Sequence, residues 1–242
     1  MSPARKLTNA AASVRARLLE ISRRRGVEFQ LVLSEFAVER LLWRLGASTY
    51  SGRFVLKGAT LFRLWSDSPH RATWDLDLLG RGSSAVADVV AVIRELCEIP
   101  GDDGIAFDAA SLVGEEIRSA DEYVGARVRF EARLAGARIP VQVDVGFGDA
   151  IEPAPSLQTY PTLLDHEAPR ILAYPRETVV AEKLEDAPPD AEQLAEALRT
   201  FLLPVLAAAA RDESFDSSWP AGGPWSRETG SGSPAVGFAG SE

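Results

Sequence analysis

Residues 127–145 constrain this chain more than any other stretch. Arg127, Arg129, Glu131 and Arg133 alternate strictly with Val128, Phe130, Ala132 and Leu134. Ala135-Gly136-Ala137 then turns the chain, and residues 139–145 return with Ile139, Val141, Val143 and Val145 at alternate positions. Successive side chains of a strand point to opposite faces, so two such runs joined by a short turn form an antiparallel hairpin with one apolar face. That face must be buried against something else.

The covering layer is legible as helices. Thr8 or Asn9 is placed to cap a helix running to about Arg25, with Val14, Leu18, Leu19 and Ile21 at helical spacing. A second helix is expected from Glu28 to Leu45, with Gly46 as its stop. Residues 53–57 read as a short strand, 59–65 as a helix, 73–79 as a strand, and 83–97 as a helix capped by Ser83 or Ser84. A strand over 105–113, a helix over 176–185 opened by Pro175, and a helix over 191–209 complete the expected elements.

Composition narrows the function classes. The 242 residues are 46% hydrophobic and 25% charged, an ordinary globular balance. Cys97, the one cysteine, excludes a disulfide-stapled domain and reads as a core or boundary residue. No apolar run reaches the roughly 18–20 residues of a membrane span, and no secretory pattern is evident, so a soluble, cytoplasmic protein with no membrane partner is expected. The net charge of −9 argues against a surface that coats nucleic acid along its whole length. Residues 1–25 nevertheless carry seven basic side chains against Glu20 alone, a patch suited either to an RNA backbone or simply to solvent. The last thirty residues include sixteen Ser, Gly or Pro, too polar to build a core. His70 and His166 have no metal-ligand spacing and read as loop histidines.

The chemistry is expected at three aspartates. Asp75 and Asp77, one residue apart on a strand, project from the same face, while Leu76 and Leu78 anchor the other. Carboxylates roughly 6–7 Å apart along a strand repel unless solvent or a cation lies between them, and hard oxygen donors so placed suit Mg²⁺. A solvent-facing pair on an edge strand is the alternative. Asp144 sits on the polar face of the returning hairpin strand, and aspartate is poorly suited to strand interiors. If its strand adjoins that of Asp75 and Asp77, the three carboxylates converge, as two-metal nucleotidyl transfer requires. Lys57-Gly58, between a strand and a helix, offers a cation and a close backbone approach to phosphate. Arg71 and Thr73 stand just before the aspartates, within reach of the same triphosphate. Lys183 is one of only three lysines and is a candidate point charge for the β- and γ-phosphates.

Four ordered motifs, Phe-Val-Leu-Lys-Gly-Ala-Thr-Leu (54–61), Arg-Ala-Thr-Trp-Asp-Leu-Asp-Leu (71–78), Val-Gln-Val-Asp-Val-Gly (141–146) and Glu-Thr-Val-Val-Ala-Glu-Lys-Leu-Glu (177–185), resemble the AbiEii/AbiGii nucleotidyltransferase toxins. The resemblance implies an α+β, polymerase-β-like nucleotidyltransferase domain with a mixed sheet and flanking helices. It also implies transfer of a nucleotide from Mg-NTP to an RNA acceptor, a tRNA 3′ end in characterised relatives. Such proteins are toxins of type IV toxin–antitoxin and abortive-infection systems, paired with an AbiEi-like winged-helix antitoxin. By position, Lys57, Gly58, Thr73, Asp75 and Asp77 match the nucleotide and metal motif, and Lys183 matches the lysine of the Ala-Glu-Lys-Leu motif. The chain departs from the family pattern at Ala59, where a second glycine is usual. It also passes from Glu185 to Asp186-Ala-Pro-Pro-Asp190 without the downstream Arg/Lys-Lys-Asp-x-x-Asp motif, which reads as an internal deletion.

The expected organisation is a helical segment over 1–50, a transferase domain over 51–185, a helix within 186–212 and a disordered tail over 213–242. The expected site comprises Asp75, Asp77 and Asp144 as Mg²⁺ ligands, Lys183 as a catalytic and phosphate-binding residue, and Lys57, Gly58, Arg71 and Thr73 around the NTP. The alternatives are a catalytically impaired member that binds only nucleotide or antitoxin, and a scaffold whose aspartates are incidental.

Overall fold

The structure is a computed structural model, and it describes residues 3–65, 75–118, 124–148 and 151–179, together with Glu196 and Arg199. The chain divides into two compact units, Met1–Val179 and Val180–Glu242. Apart from Glu196 and Arg199, both helical, the helix expected over 191–209 lies outside the described residues, as do the tail from 213 and the site candidates Arg71, Thr73 and Lys183.

The first unit is a mixed α+β fold. Helix α1 (Pro3–Arg25) and α2 (Phe29–Ala47) precede strand β1 (Phe54–Lys57), a 3₁₀ turn (Ala59–Leu61) and the short α3 (Phe62–Trp65). Then follow β2 (Asp75–Gly80), α4 (Val86–Glu98), β3 (Ala106–Arg118), β4 (Val124–Leu134), β5 (Ala137–Phe147), β6 (Ser156–Thr159) and β7 (Arg170–Ala173). The seven strands form one sheet in the order β3-β4-β5-β2-β1-β7-β6. Pairs β2–β5 and β1–β7 are parallel and the others antiparallel, so the sheet is mixed as expected.

The hairpin takes its predicted form with a tighter turn. Ala135 and Gly136 both have positive φ, +45° and +82°, the two-residue turn whose twist matches that of the flanking strands. Ala126, Val128, Phe130, Ala132 and Leu134 of β4 and Ile139, Val141, Val143 and Val145 of β5 are all buried. They share a core with Leu18 of α1, Phe36 and Leu42 of α2, and Val89, Ile93 and Leu96 of α4. Cys97 belongs to this core, where burial pushes its thiol up to about 12, and it is therefore inert as a nucleophile. His166 sits in a loop, as expected, with its ring 5.7 Å from that of Phe36.

Several elements differ from the sequence expectation: α4, for one, begins at Val86 with Ala85 as its N-cap rather than Ser83 or Ser84. Helix α1 begins at Pro3 rather than at Thr8 or Asn9, proline being well suited to the first helical turn. Helix α2 runs through Gly46 to Ala47 and closes at Ser48, whose hydroxyl donates to the Leu45 carbonyl at 2.8 Å. Gly46 thus serves close packing: a Cβ there would lie 2.5 Å from the Arg170 carbonyl oxygen at the start of β7. Strands β6 and β7 are additions, each only four residues long, and neither carries a long alternating pattern.

Helix α2 also buries charge. Arg40 and Arg44, one turn apart, both reach Asp103, with Arg40 Nε donating to Oδ2 at 2.9 Å and Arg44 Nη1 to the same oxygen at 2.8 Å. Arg40 Nη1 donates to the Glu167 carbonyl and Arg44 Nε to the Ile99 carbonyl, so the buried guanidinium groups are well satisfied. Burying such charges is costly, and only this near-complete pairing makes it tolerable.

Glu39, in the same helix, is less well matched. Its Oε2 accepts the Leu163 amide at 2.7 Å, but its buried Oε1 has no hydrogen-bond partner. Burial pushes this carboxyl up to about 7 despite the neighbouring Arg40. Because the folded state then holds a proton that the unfolded chain releases near 4.5, stability falls as pH rises from about 4.5 through 7. Glu39→Gln keeps an acceptor for Leu163 and has no charge to bury. Thermal melts should therefore show the variant matching the parent at pH 5 and exceeding it at pH 8, by roughly 3 kcal/mol at most. Equal pH dependence in the two proteins would refute this account.

Candidate active site

The face of the sheet opposite the helices carries the polar residues. Asp75 and Asp77 point that way from β2, whose Leu76 and Leu78 are buried on the other side. The parallel pairing of β2 with β5 sets Asp77 beside Asp144 and Asp75 beside Gln142. On the other flank, antiparallel β1 sets Lys57 beside Asp77. Strand β4 sets Arg127 beside Asp144, and β3 sets Glu115 beside Arg127. One row across five strands therefore reads Lys57, Asp77, Asp144, Arg127, Glu115. The strands of the three aspartates adjoin, as the sequence required for convergence.

Asp144 is held by Arg127. The guanidinium Nε donates to Oδ1 and Nη2 to Oδ2, both at 2.7 Å, a bidentate fork. Gln142 Nε2 approaches Oδ2 at 3.4 Å, and Gln142 in turn accepts from Arg129 Nε at 2.8 Å. Both Asp144 oxygens are thus engaged by cationic or amide donors. Among the described residues no group of three acidic, His or Cys side chains is arranged to hold a metal ion. The three carboxylates are brought to one place, but Asp144 faces Arg127.

Asp75 and Asp77 are half-buried. Burial raises the Asp75 carboxyl above its ordinary range, the negative charge of Asp144 adds to that rise, and Arg127 and Arg129 oppose it. A site that penalises its own negative charge in this way is one that a cation would relieve. The hard oxygens of the Asp75/Asp77 pair fit a divalent ion that fills its remaining positions with water and phosphate.

Gly58 explains how β1 meets this pair. Its φ of +71° lies in the left-handed region, and a Cβ there would lie 2.8 Å from both Cβ and Cγ of Asp77 and overlap its carboxylate. Only glycine lets the backbone turn so closely over that side chain. The following turn is tied to β2 by Thr60, whose hydroxyl donates to the Asp75 carbonyl at 3.3 Å. The Lys57 ammonium lies 5.8 Å from the Tyr174 ring centroid and 3.8 Å from the point a Cβ on Gly146 would occupy.

Arg127 was not among the sequence candidates. Counting outward from a two-residue turn at Ala135-Gly136 places it opposite Asp144, whereas the three-residue turn expected from Ala135-Gly136-Ala137 places Val128 there. The turn length was the missing signal.

The family model of the nucleotidyl transferase AbiEii toxins of type IV toxin–antitoxin systems matches residues 40–202. No curated protein matches the chain. Among solved structures, JHP933 from Helicobacter pylori is similar at 14% identity and a TM-score of 0.38, over 60% of this chain and 52% of that one. A candidate nucleotidyltransferase from H. pylori is similar at 13% identity and a TM-score of 0.37, over 60% of this chain and 53% of that one. The chain thus spans about half the length of these two structures. With its family match extending over most of the sequence, including the Lys57-Gly58 turn, both strand aspartates and Asp144, the chain belongs to the AbiEii nucleotidyl transferase toxin family.

Proposed function

We propose that this protein transfers a nucleotide from Mg-NTP to the 3′ end of an RNA, with tRNA as the acceptor class, as the toxin of a pair with a winged-helix antitoxin in the cytoplasm. The observation that carries this reading is the row Lys57, Asp77, Asp144, Arg127 with Asp75 alongside, in a member of this family.

Asp75 and Asp77 would hold Mg²⁺, which when bound supplies charge neutralisation at the α-phosphate and leaving group. Lys57 supplies a further positive charge beside the same carboxylates, and the Gly58 turn lets phosphate approach the backbone. Arg71, Thr73 and Lys183 are proposed as further nucleotide contacts, and Lys183 as a stabiliser of the leaving phosphates. The acceptor hydroxyl oxygen bonds to the α-phosphorus, the bond from that phosphorus to the bridging oxygen of the β-phosphate breaks, and pyrophosphate departs. The hydroxyl proton passes to a site carboxylate, for which Asp144 is the candidate. In the arrangement seen, Asp144 is spent on Arg127. Its service as metal ligand or proton acceptor therefore requires that fork to open.

Thermal melts with each NTP, with and without Mg²⁺, test the site. Binding to the folded state stabilises it by about 2.7 kcal/mol at a hundredfold excess over Kd. A Mg²⁺-dependent rise in Tm is expected with at least one NTP, and Asp77→Ala should abolish it while leaving the ligand-free fold intact. Labelled-nucleotide transfer to tRNA should be lost with it. No rise with any NTP would refute the reading. Binding without transfer would identify a member that takes nucleotide only, the alternative that the closed Arg127–Asp144 fork favours.

Gly58→Ala offers a separate check. The new methyl strains a left-handed residue at a cost of about 1–2 kcal/mol and displaces the Asp77 carboxylate. A stably folded Gly58→Ala protein should therefore lose the Mg²⁺-dependent shift. Retention of the full shift would show that Asp77 does not need the position observed.

A further inference from the structure

Arg127 lies between two carboxylates on the polar face of the sheet. Across the β4–β5 ladder its partner is Asp144, and across the β3–β4 ladder it is Glu115. The guanidinium is committed to Asp144 through two hydrogen bonds of 2.7 Å. Glu115 lies 2.7 Å from Arg129 Nη1, and Arg129 has a second partner in Gln142. Side chains directly opposite each other on antiparallel strands have Cβ atoms only about 4.5–5.5 Å apart. An arginine at position 127 therefore reaches either carboxylate by rotation of its own side chain, with the backbone unmoved.

The two positions differ in strength. The Asp144 side chain is 16% exposed and that of Arg127 30%, whereas Glu115 and Arg129 are 49% and 50% exposed. A half-buried bidentate fork outweighs an ion pair in solvent. Asp144 also stands beside Asp77, so the fork offsets repulsion between adjacent carboxylates. In the protein alone Arg127 thus belongs on Asp144. A divalent cation held by Asp75 and Asp77 reverses the preference, because it neutralises the same cluster and repels a guanidinium beside it. Glu115 then offers the arginine a carboxylate one strand further from the ion.

We propose that Arg127 is a movable counter-ion of the aspartate cluster, seated on Asp144 until a divalent cation displaces it toward Glu115. An ion that recruits Asp144 must first break two charge-assisted hydrogen bonds, so the fork lowers cation affinity. Arg127 is here a positioning residue, acting through Asp144. The inference rests on the transferase reading for the cation site itself.

Calorimetric titration with Mn²⁺ alone, without nucleotide and at fixed ionic strength, tests this. The proteins are wild type, Arg127→Gln, Arg127→Lys, Glu115→Gln and the double variant Arg127→Gln/Glu115→Gln, each melted first in EDTA to check folding. Arg127→Gln should melt lower than wild type yet bind Mn²⁺ about tenfold more tightly, a gain that a merely structural fork would not produce. Arg127→Lys keeps the charge but cannot form the fork. It should also bind more tightly than wild type, and it carries the test where Arg127→Gln does not fold. Glu115→Gln removes the second station and should weaken binding about threefold, the scale of one exposed ion pair, but not when Arg127 is already glutamine.

Unchanged or weaker Mn²⁺ binding by folded Arg127 variants would overturn the proposal and leave the cation site standing. Arg127→Lys equal to wild type beside a tighter Arg127→Gln would do the same, since charge alone would then explain the gain. Glu115→Gln with equal effects in both backgrounds would overturn Glu115 as the second station. Failure of wild type and of both Arg127 variants to bind Mn²⁺ would overturn the cation site of the transferase reading, and the counter-ion with it.

Discussion

Asp77 and Asp144 stand side by side on neighbouring strands, and the surrounding structure is organised to make that tolerable. Like charges directly opposite each other in a sheet are destabilising. Here the pair is bracketed by Lys57 on one flank and by the Arg127 fork on the other. At Asp75 burial and the charge of Asp144 raise the carboxyl, and Arg127 and Arg129 oppose that rise.

Such a cluster can be maintained only on a rigid platform. Strands β2 and β5, which carry all three aspartates, are neighbours in the interior of the sheet, and their opposite faces are fully committed to the core. Helix α2 on that side is fastened by the Arg40–Asp103–Arg44 network, in which two buried guanidinium groups share one carboxylate and give their other hydrogen bonds to backbone carbonyls. The strand faces therefore divide the labour. One side supplies hydrophobic burial, and the other holds charges that would not be stable in a loosely packed protein.

Much of this division was legible in the sequence. The alternation across 127–145 identified the buried face, and Asp75 and Asp77 were assigned to one side of their strand from spacing alone. The Lys57-Gly58 turn was recognised as a close approach, although its neighbour proved to be the Asp77 carboxylate. Where the reading fell short, the cause was non-local. Gly46 looked like a helix terminator because glycine commonly is one, yet it is spaced for the backbone of a strand more than a hundred residues away. Strands β6 and β7 escaped notice because four residues carry too little periodicity to stand out.

Arg127 shows where the boundary falls. Its place on the polar face follows from local alternation, which depends only on the pleat of a single strand. Its partnership with Asp144 depends on whether the hairpin turn has two residues or three, a difference of one residue that changes every pair in the ladder. The sequence by itself determined which side chains share a face, because that is a property of each strand taken singly. Only the tertiary structure decided that β5 lies parallel beside β2 and β1 on its other flank, because pairing between strands separated by long connections is chosen by the packing of the whole core.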